Sequence, residues 1–481
     1  MILHLAPLDY LVIAVFLLAI LGLGFSTKLR DNSILAYLAA GRNLSLPAFV
    51  ATLVSTWYGG ILAIGDSVKA FGVGTILLSG IPYYFFALIY ALYFAKRVRA
   101  ADQISIPERL ELRYGRVAGL VGAVFLFMLA VPSAHVLMLG TMLSLFTGWG
   151  LKVSIVVATL GGTLFLYKGG LLADVRAGLL AFVMMYVGFF VVVIWCLTHY
   201  PPSQFLAKVD PTLLRFDGGQ STLAILSFFV LGAWTLVDPG FHQRVSSAAN
   251  PELSRKGVYI SIGFWALCDI LSTTTGLYAL VMLRPDAGGL TYFPELGDKV
   301  LPPGLKAVFL CGLTGTVLSA MVGYTLVSGA TFGREMVARI KPGMSDSTIK
   351  LWTRVGFFLA CLVSIGILFL LLSQGNINVV VDLWYDYGGA LVGALLIPVC
   401  LAFLPPNRLK LSPRWVVSSM SMAFIVSFLW LIDGKRTNND YLQVYLAGQK
   451  FSLGTLVPGL LVSATVLGLG EVVGRRATKN D

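Results

Sequence analysis

Long apolar runs alternate along the chain with short polar segments marked by Gly, Pro or charge. The runs are too continuous for the cores of a water-soluble domain. A helix needs about 20 apolar residues to cross a bilayer, and about thirteen such windows are expected from hydropathy and its punctuation. Their cores fall near 8–27, 46–74, 76–95, 117–147, 153–167, 177–198, 222–247, 256–283, 303–333, 352–373, 377–404, 414–432 and 454–473. The pattern predicts an all-α polytopic membrane protein.

Two of these spans have interiors hostile to a helix. The second reads VATLVSTWYGG, where Ser55, Thr56 and two bulky aromatics, Trp57 and Tyr58, run into Gly59 and Gly60; paired glycines loosen a helix and expose its backbone. In the seventh, Gly232 and Trp234 precede Asp238-Pro239-Gly240, and Pro supplies no amide donor to continue the ladder. A break in lipid survives only where the freed backbone lines a protein cavity or binds something. The two broken spans start five spans apart, the sequence signature of a transporter built from two five-helix repeats of opposite topology. Residues 46–200 and 222–404 are then the repeats, with 8–27 and 414–473 peripheral and no second domain.

Composition narrows the class further. Of 481 residues 57% are hydrophobic and 12% charged, about half the charged share of a soluble domain. The net charge of +12 is distributed by loop: KRVRAADQ, ERLELRYGR, SRKG, GREMVARIK, NRLKLSPR and the tail GRRATKND fall on one side. About 25 basic residues on that side against about 10 on the other make it cytoplasmic. The N-terminus is then outside and the C-terminus inside, and anionic lipid headgroups rather than nucleic acid are the partner of the surplus charge. The five cysteines lie singly in apolar segments and read as small buried hydrophobes. Leu8 to Thr27 reads as a retained first span rather than a signal peptide.

Several runs carry a family resemblance. AGRNLSLPAFVATLVSTWYGG, YFAKRVR, SIPERLELRYG, WTLVDPGFHQRVSSA and LTGTVLSAMVGYTLVSGATFGRE occur in the order, and over nearly the whole length, in which similar runs occur in the sodium:solute symporter family. The resemblance implies a LeuT-type five-plus-five core. It also implies a sodium ion between carbonyls of Ser55 and Tyr58 and oxygens of Thr316, Ser319 and Ala320. Sodium, like other hard cations, wants oxygen ligands. Here the chain departs from the family, which usually has two adjacent hydroxyls where Ser319 is followed by Ala320; Thr316, one turn earlier, is a replacement by spacing. A Thr-Asp pair and a Gln common in the family's sixth span are replaced by Ala177, Gly178 and Ala181, which argues against an additional ion site there.

A solute is expected beside the ion, at Trp57, Tyr58, Gly59, Gly60, Tyr84, His135, Trp234, Asp238 and Tyr385. These aromatics, with Tyr83, Trp384 and Tyr387, can stack on a ring or hold a quaternary ammonium. The TWYGG and DPGFHQR runs are similar to choline-transporting members; helix packing uses the same residues. Among the intramembrane charges, Asp66 and Lys69 are expected to pair with each other. Asp269 is read as either a hydrogen-bonded structural carboxyl or a proton carrier; Asp382 and Asp386, like charges one turn apart, require a cation between them, a proton on one, or, the favoured reading, a wet vestibule; and Asp174 and Arg176 are read as solvated loop charges. Arg244 is read as a cytoplasmic-side anchor.

The expected function is sodium-coupled symport of a small organic solute across the cytoplasmic membrane by alternating access, by a monomer with Na+ as coupling ion and no organic cofactor. Proton-coupled or uncoupled transport on the same fold, with Asp269 or Asp238 titrating, is the nearest alternative. A transporter-like sensor is a second. An enzyme is not expected, because no nucleophile stands beside a base and no metal motif is present.

Overall fold

The computed structural model describes residues 2–29, 31–101, 103–374, 379–405, 409–437, 439, 442–446 and 448–480. Among them eleven helices are long and apolar enough to cross a membrane: α1 Pro7–Phe25, α2 Leu46–Phe71, α3 Ile76–Ala100, α4 Arg116–Thr147, α6 Leu166–His199, α8 Pro251–Met282, α9 Leu305–Ile340, α10 Asp346–Ser373, α11 Asp382–Ala402, α12 Pro413–Arg436 and α13 Leu456–Arg476. A bent pair, α7a Thr222–Leu236 and α7b Pro239–Ser247, makes a twelfth span. The span expected at 153–167 is instead the shorter apolar helix α5, Leu151–Thr163, so among the described residues up to twelve spans are counted rather than thirteen. Residues 377 and 378, assigned from sequence to the eleventh span, lie outside the described residues, as do Asp102, Arg408 and the last residue of the basic loops and tail. A short antiparallel hairpin, β1 Gln443–Leu446 and β2 Gln449–Ser452, joins α12 to α13.

Burial separates a centre from a rim. The apolar window of α9 is 89% buried and those of α2 and α11 are 72% buried, against 28% for α1 and 33% for α12 and α13. Small residues let α9 into the middle: its run Gly312, Gly315, Ala320, Gly323 and Gly329 brings α6, α2, Arg244 and α10 up to its backbone. The rim helices turn Leu11 and Leu18, Phe358 and Leu370, Ile425 and Leu429 outward, the surface a bilayer covers at no cost. The molecule is a multi-pass membrane protein.

The two sequence breaks differ in form. At Asp238 the chain bends by 42°. Pro239 opens α7b, and the Asp238 side chain caps it by accepting the Phe241 amide at 2.6 Å, a cap worth about 1 kcal/mol. In α2 no segment unwinds, contrary to the sequence expectation. The helix tightens into one 3-10 turn, Tyr58–Gly60, and continues. The glycines serve close approach there: a Cβ on Gly59 would fall 2.0 Å from the Ala320 Cβ, and one on Gly60 2.5 Å from the Trp384 ring.

The start of α6 depends on one glycine conformation. Gly170 has φ 51° and ψ −138°, a region closed to L side chains, and a Cβ would sit 2.2 Å from the Tyr37 carbonyl. The Tyr37 hydroxyl donates to Leu166 O at 2.8 Å, fixing the same junction. Gly170→Ala is expected to destabilise the protein by about 2 kcal/mol, read as a lowered midpoint of thermal unfolding in detergent; an unchanged midpoint would contradict this geometry.

Candidate functional site

Three groups of side chains are strung along α2 from Thr52 to Gly60. The first is polar. Ser55 Oγ and Ser319 Oγ lie 3.0 Å apart in a hydrogen bond between α2 and α9, and both are buried. A Cβ on Gly178 of α6 would stand 3.2 Å from Ser319 Oγ, 3.4 Å from Ser55 Oγ and 3.7 Å from Thr52 Oγ1. Two helices, α2 and α9, therefore bring three hydroxyls against one bare glycine of a third, α6. Thr52 Oγ1 is buried with no hydrogen-bond partner, which marks an oxygen still open to a ligand. The other sequence-predicted ion ligands are placed differently. The Thr316 hydroxyl donates to Gly312 O at 2.7 Å in its own helix. The Tyr58 carbonyl accepts the Ile61 amide of the 3-10 turn. Ala320 presents its methyl to Gly59.

The second group is aromatic. Trp57 packs on Trp265, Tyr83 and Phe241 with centroids 5.3, 5.4 and 5.8 Å away. His135, one turn after the Pro132 break in α4, stacks on Tyr324 at 5.2 Å and lies 5.8 Å from Trp384, and Trp384 crosses Gly60. Trp234 meets Gly388 of α11, while Tyr385 faces Phe228 edge-on at 6.3 Å. Trp57, Gly59, Gly60, His135 and Trp384 thus share one neighbourhood. Trp234 and Tyr385 belong to the adjoining α7a–α11 contact.

The third group is charged or phenolic. Tyr58 OH lies 2.5 Å from Asp269 Oδ1 and 2.7 Å from Trp265 O, and Tyr84 OH hydrogen-bonds Asp269 Oδ2. Tyr324 OH donates to Asp238 Oδ2 at 2.7 Å. Tyr324 therefore joins α9 to the cap of α7b while stacking on His135. It was not singled out from sequence, where the only available signal was its position one turn after Ala320. Trp265 was missed likewise, one turn before Asp269.

Several sequence expectations about charge are corrected. Asp174 is not a solvated loop residue: α6 starts at Leu166, so Asp174 lies inside it, fully buried, and accepts Arg244 Nη2 at 2.7 Å. Arg244 also donates to Thr56 Oγ1 at 3.0 Å and Gly240 O at 3.3 Å, joining α7b, α6 and α2. Arg176 is exposed, as expected. Asp66 and Lys69 do not bind each other but clasp one turn: Asp66 accepts the Gly289 amide at 2.5 Å, and Lys69 donates to Pro285 O at 2.9 Å and to Ala287 O. Lys435 of α12 lies 3.6 Å from Asp382 and 3.8 Å from Asp386, so a cation stands between these like charges. Among the described residues no three His, Cys, Asp or Glu side chains are grouped to hold a metal ion.

A helix bent at Asp238, a second pinched at Tyr58–Gly60 and a polar seam between α2 and α9 define a secondary transporter of the LeuT type. Its fold superposes on a Na+-coupled sialic acid symporter, solved in a substrate-bound outward-open state, with TM-score 0.73 and 15% identity over 98% of each chain. Residues 37–402 match the sodium:solute symporter family, and the chain belongs to that family. It is 21% identical over 448 residues to sodium/glucose cotransporter 4 of Danio rerio, covering 82% of this chain and 67% of that protein. It is 23% identical over 332 residues to the sodium/pantothenate symporter of Escherichia coli (strain K12), covering 66% and 68%. The chain thus spans about two-thirds of the length of these relatives. Membership makes it a secondary transporter of the sodium-coupled symport class, and its relatives are transporters rather than enzymes.

Proposed function

We propose that the chain carries a small organic solute together with sodium, and that the ion is held where α2, α6 and α9 meet. The carrying observation is the Ser55–Ser319 contact at 3.0 Å against bare Gly178, with Thr52 Oγ1 unpartnered beside it. Thr52, Ser55 and Ser319 supply three hard oxygens. Thr52 stands in for the hydroxyl absent at Ala320, and Thr316, whose hydrogen goes to Gly312 O, keeps its oxygen lone pairs as a further donor set on α9. Ion entry replaces the serine–serine bond and bridges α2 to α9, so sodium favours whichever arrangement holds those oxygens at coordination distance.

The solute binds one turn along α2, at Trp57, Gly59 and Gly60, bounded by His135, Tyr84, Trp234, Asp238 and Tyr385. Trp384 must leave Gly60 to admit it. Rocking of the helices about this seam exposes ion and solute inward, within a monomer whose N-terminus is outside and whose C-terminus is cytoplasmic.

Sodium should raise the thermal unfolding midpoint of the purified protein where equimolar potassium does not. A ligand at 100 times its Kd stabilises by about 2.7 kcal/mol. Ser319→Ala is expected to weaken sodium about tenfold, or about 1.4 kcal/mol, seen as a tenfold rise in the concentration giving half the thermal shift. Equal stabilisation by both cations, or an unchanged response in Ser319→Ala, would reject the site. Uptake of a radiolabelled solute library into proteoliposomes, with and without a sodium gradient, identifies the solute.

A further inference from the structure

Helix α9 meets both broken spans within about one and a half turns of its own length. Ser319 Oγ lies 3.0 Å from Ser55 Oγ of α2, and further along α9 the Tyr324 hydroxyl donates to Asp238 Oδ2 at 2.7 Å, at the break of the seventh span. Gly323, between them, is closed against Arg244. Arg244 in turn fastens α7b to α2 through Thr56 Oγ1 at 3.0 Å and to α6 through Asp174 Oδ2 at 2.7 Å. The helix α7b is therefore held at two points: its capped end to α9, its far end to α2.

Tyr324 is itself fixed at both ends. Its ring lies nearly parallel to the His135 imidazole, 5.2 Å away and inclined by 17°, and His135 fills the space against Gly59 of α2. Its hydroxyl ends on a carboxyl whose other oxygen, Oδ1, accepts the Phe241 amide at 2.6 Å and so caps α7b. Gly240 makes room for the phenol, since a Cβ there would stand 3.5 Å from the Tyr324 ring and 3.2 Å from Asp238 Oδ1. Hydrogen bonds between oxygens hold only over a short range, so a shift of α9 against the cap by about 1 Å breaks this one.

From this geometry, and resting on the sodium reading above, we infer that Tyr324 is a positioning residue that carries ion occupancy from the α2–α9 seam to the break at Asp238. Sodium among Thr52, Ser55 and Ser319 sets the spacing of α2 and α9. A helix pinned to both of them must tilt when that spacing changes, and α7b is pinned to α2 by Arg244 and to α9 by Tyr324. The bend at Asp238 thus follows the ion. Without the Tyr324 hydroxyl α7b keeps only its tie through Arg244, and the ion bridges α2 to α9 unfelt at the second break.

Hydrogen exchange of the purified protein, followed by mass spectrometry in sodium and in equimolar potassium, tests this with no solute. Sodium is expected to slow exchange of the α7b amides, 241–247, about fivefold, the lower end of couplings between sites, beyond any slowing in the rim helix α12. Tyr324→Phe keeps the ring on His135 and loses the hydroxyl; sodium must still raise its unfolding midpoint, but the excess protection of α7b must vanish. Should that variant fail to fold, Asp238→Ser keeps a helix cap on a side chain too short to reach the phenol, and the same loss is expected. Excess protection that survives in the folded variants, or is missing from a native protein that sodium stabilises, overturns the role of Tyr324 and leaves the sodium site standing. So does a folded Tyr324→Phe protein that no longer responds to sodium. A native protein that sodium stabilises no more than potassium rejects the sodium site and this role with it.

Discussion

Arg244→Ala is expected to lower the stability of the folded protein by about 3–5 kcal/mol, the cost of stranding the partner of a buried ion pair. Both side chains are fully buried and 2.7 Å apart, so removing the guanidinium leaves the Asp174 carboxyl without its cation. Thr56 Oγ1 and Gly240 O lose a donor as well. Gly323 is pressed against Arg244, since a Cβ there would lie 2.3 Å from Nη2, and truncation opens a void as α7b loses its tie to α2 and α6. A double variant, Arg244→Met with Asp174→Leu, removes both charges and keeps volume; it should recover most of the loss, because an apolar pair often matches a buried ionic one. Thermal unfolding of the three proteins in one detergent checks this. If the double variant melts no higher than Arg244→Ala, the damage comes from lost packing and not from the stranded charge.

The same pair shows what a linear reading of the chain can reach. The spans and the Asp238-Pro239-Gly240 break were legible because each is a local matter: apolar length, and a residue with no amide to donate. Asp174 and Arg244 are 70 residues apart, and nothing local marks them as partners. Starting the sixth span at residue 177 turned Asp174 into a loop residue, whereas the helix begins at Leu166 and passes through the Gly170 kink. Lys435 escaped for a similar reason, since its two aspartates lie on α11 and it comes from the rim helix α12. The Ser55–Ser319 contact is a different case. Family resemblance brought those positions and Gly178 into view, and the structure adds Thr52, which no spacing rule selects.

Gly59→Val is expected to destabilise the protein by about 3 kcal/mol, the upper end for overpacking a filled interior, and to abolish the thermal response to sodium. Two consecutive glycines in an apolar helix suggested an unwound segment, yet the backbone there remains helical, so the requirement is one of space. The Cβ of any residue at 59 would meet the Ala320 Cβ at 2.0 Å and the His135 ring at 2.8 Å. Neither obstacle can swing aside: a methyl on a buried helix does not rotate away, and the His135 ring is held between Tyr324 and Trp384. The helices α2 and α9 must therefore separate, and the separation pulls Ser55 from Ser319 one turn away. This close approach also bears on the hydroxyl missing from residue 320, because the Ala320 side chain already fills the gap facing Gly59. Adding Ala320→Gly to Gly59→Ala should relieve the helix–helix clash while leaving the histidine contact, so stability and sodium response return in part. Full recovery would mean that His135 yields readily. No recovery would mean that the α2–α9 spacing is set elsewhere, and the link from the pinched turn to the ion seam would fall with it.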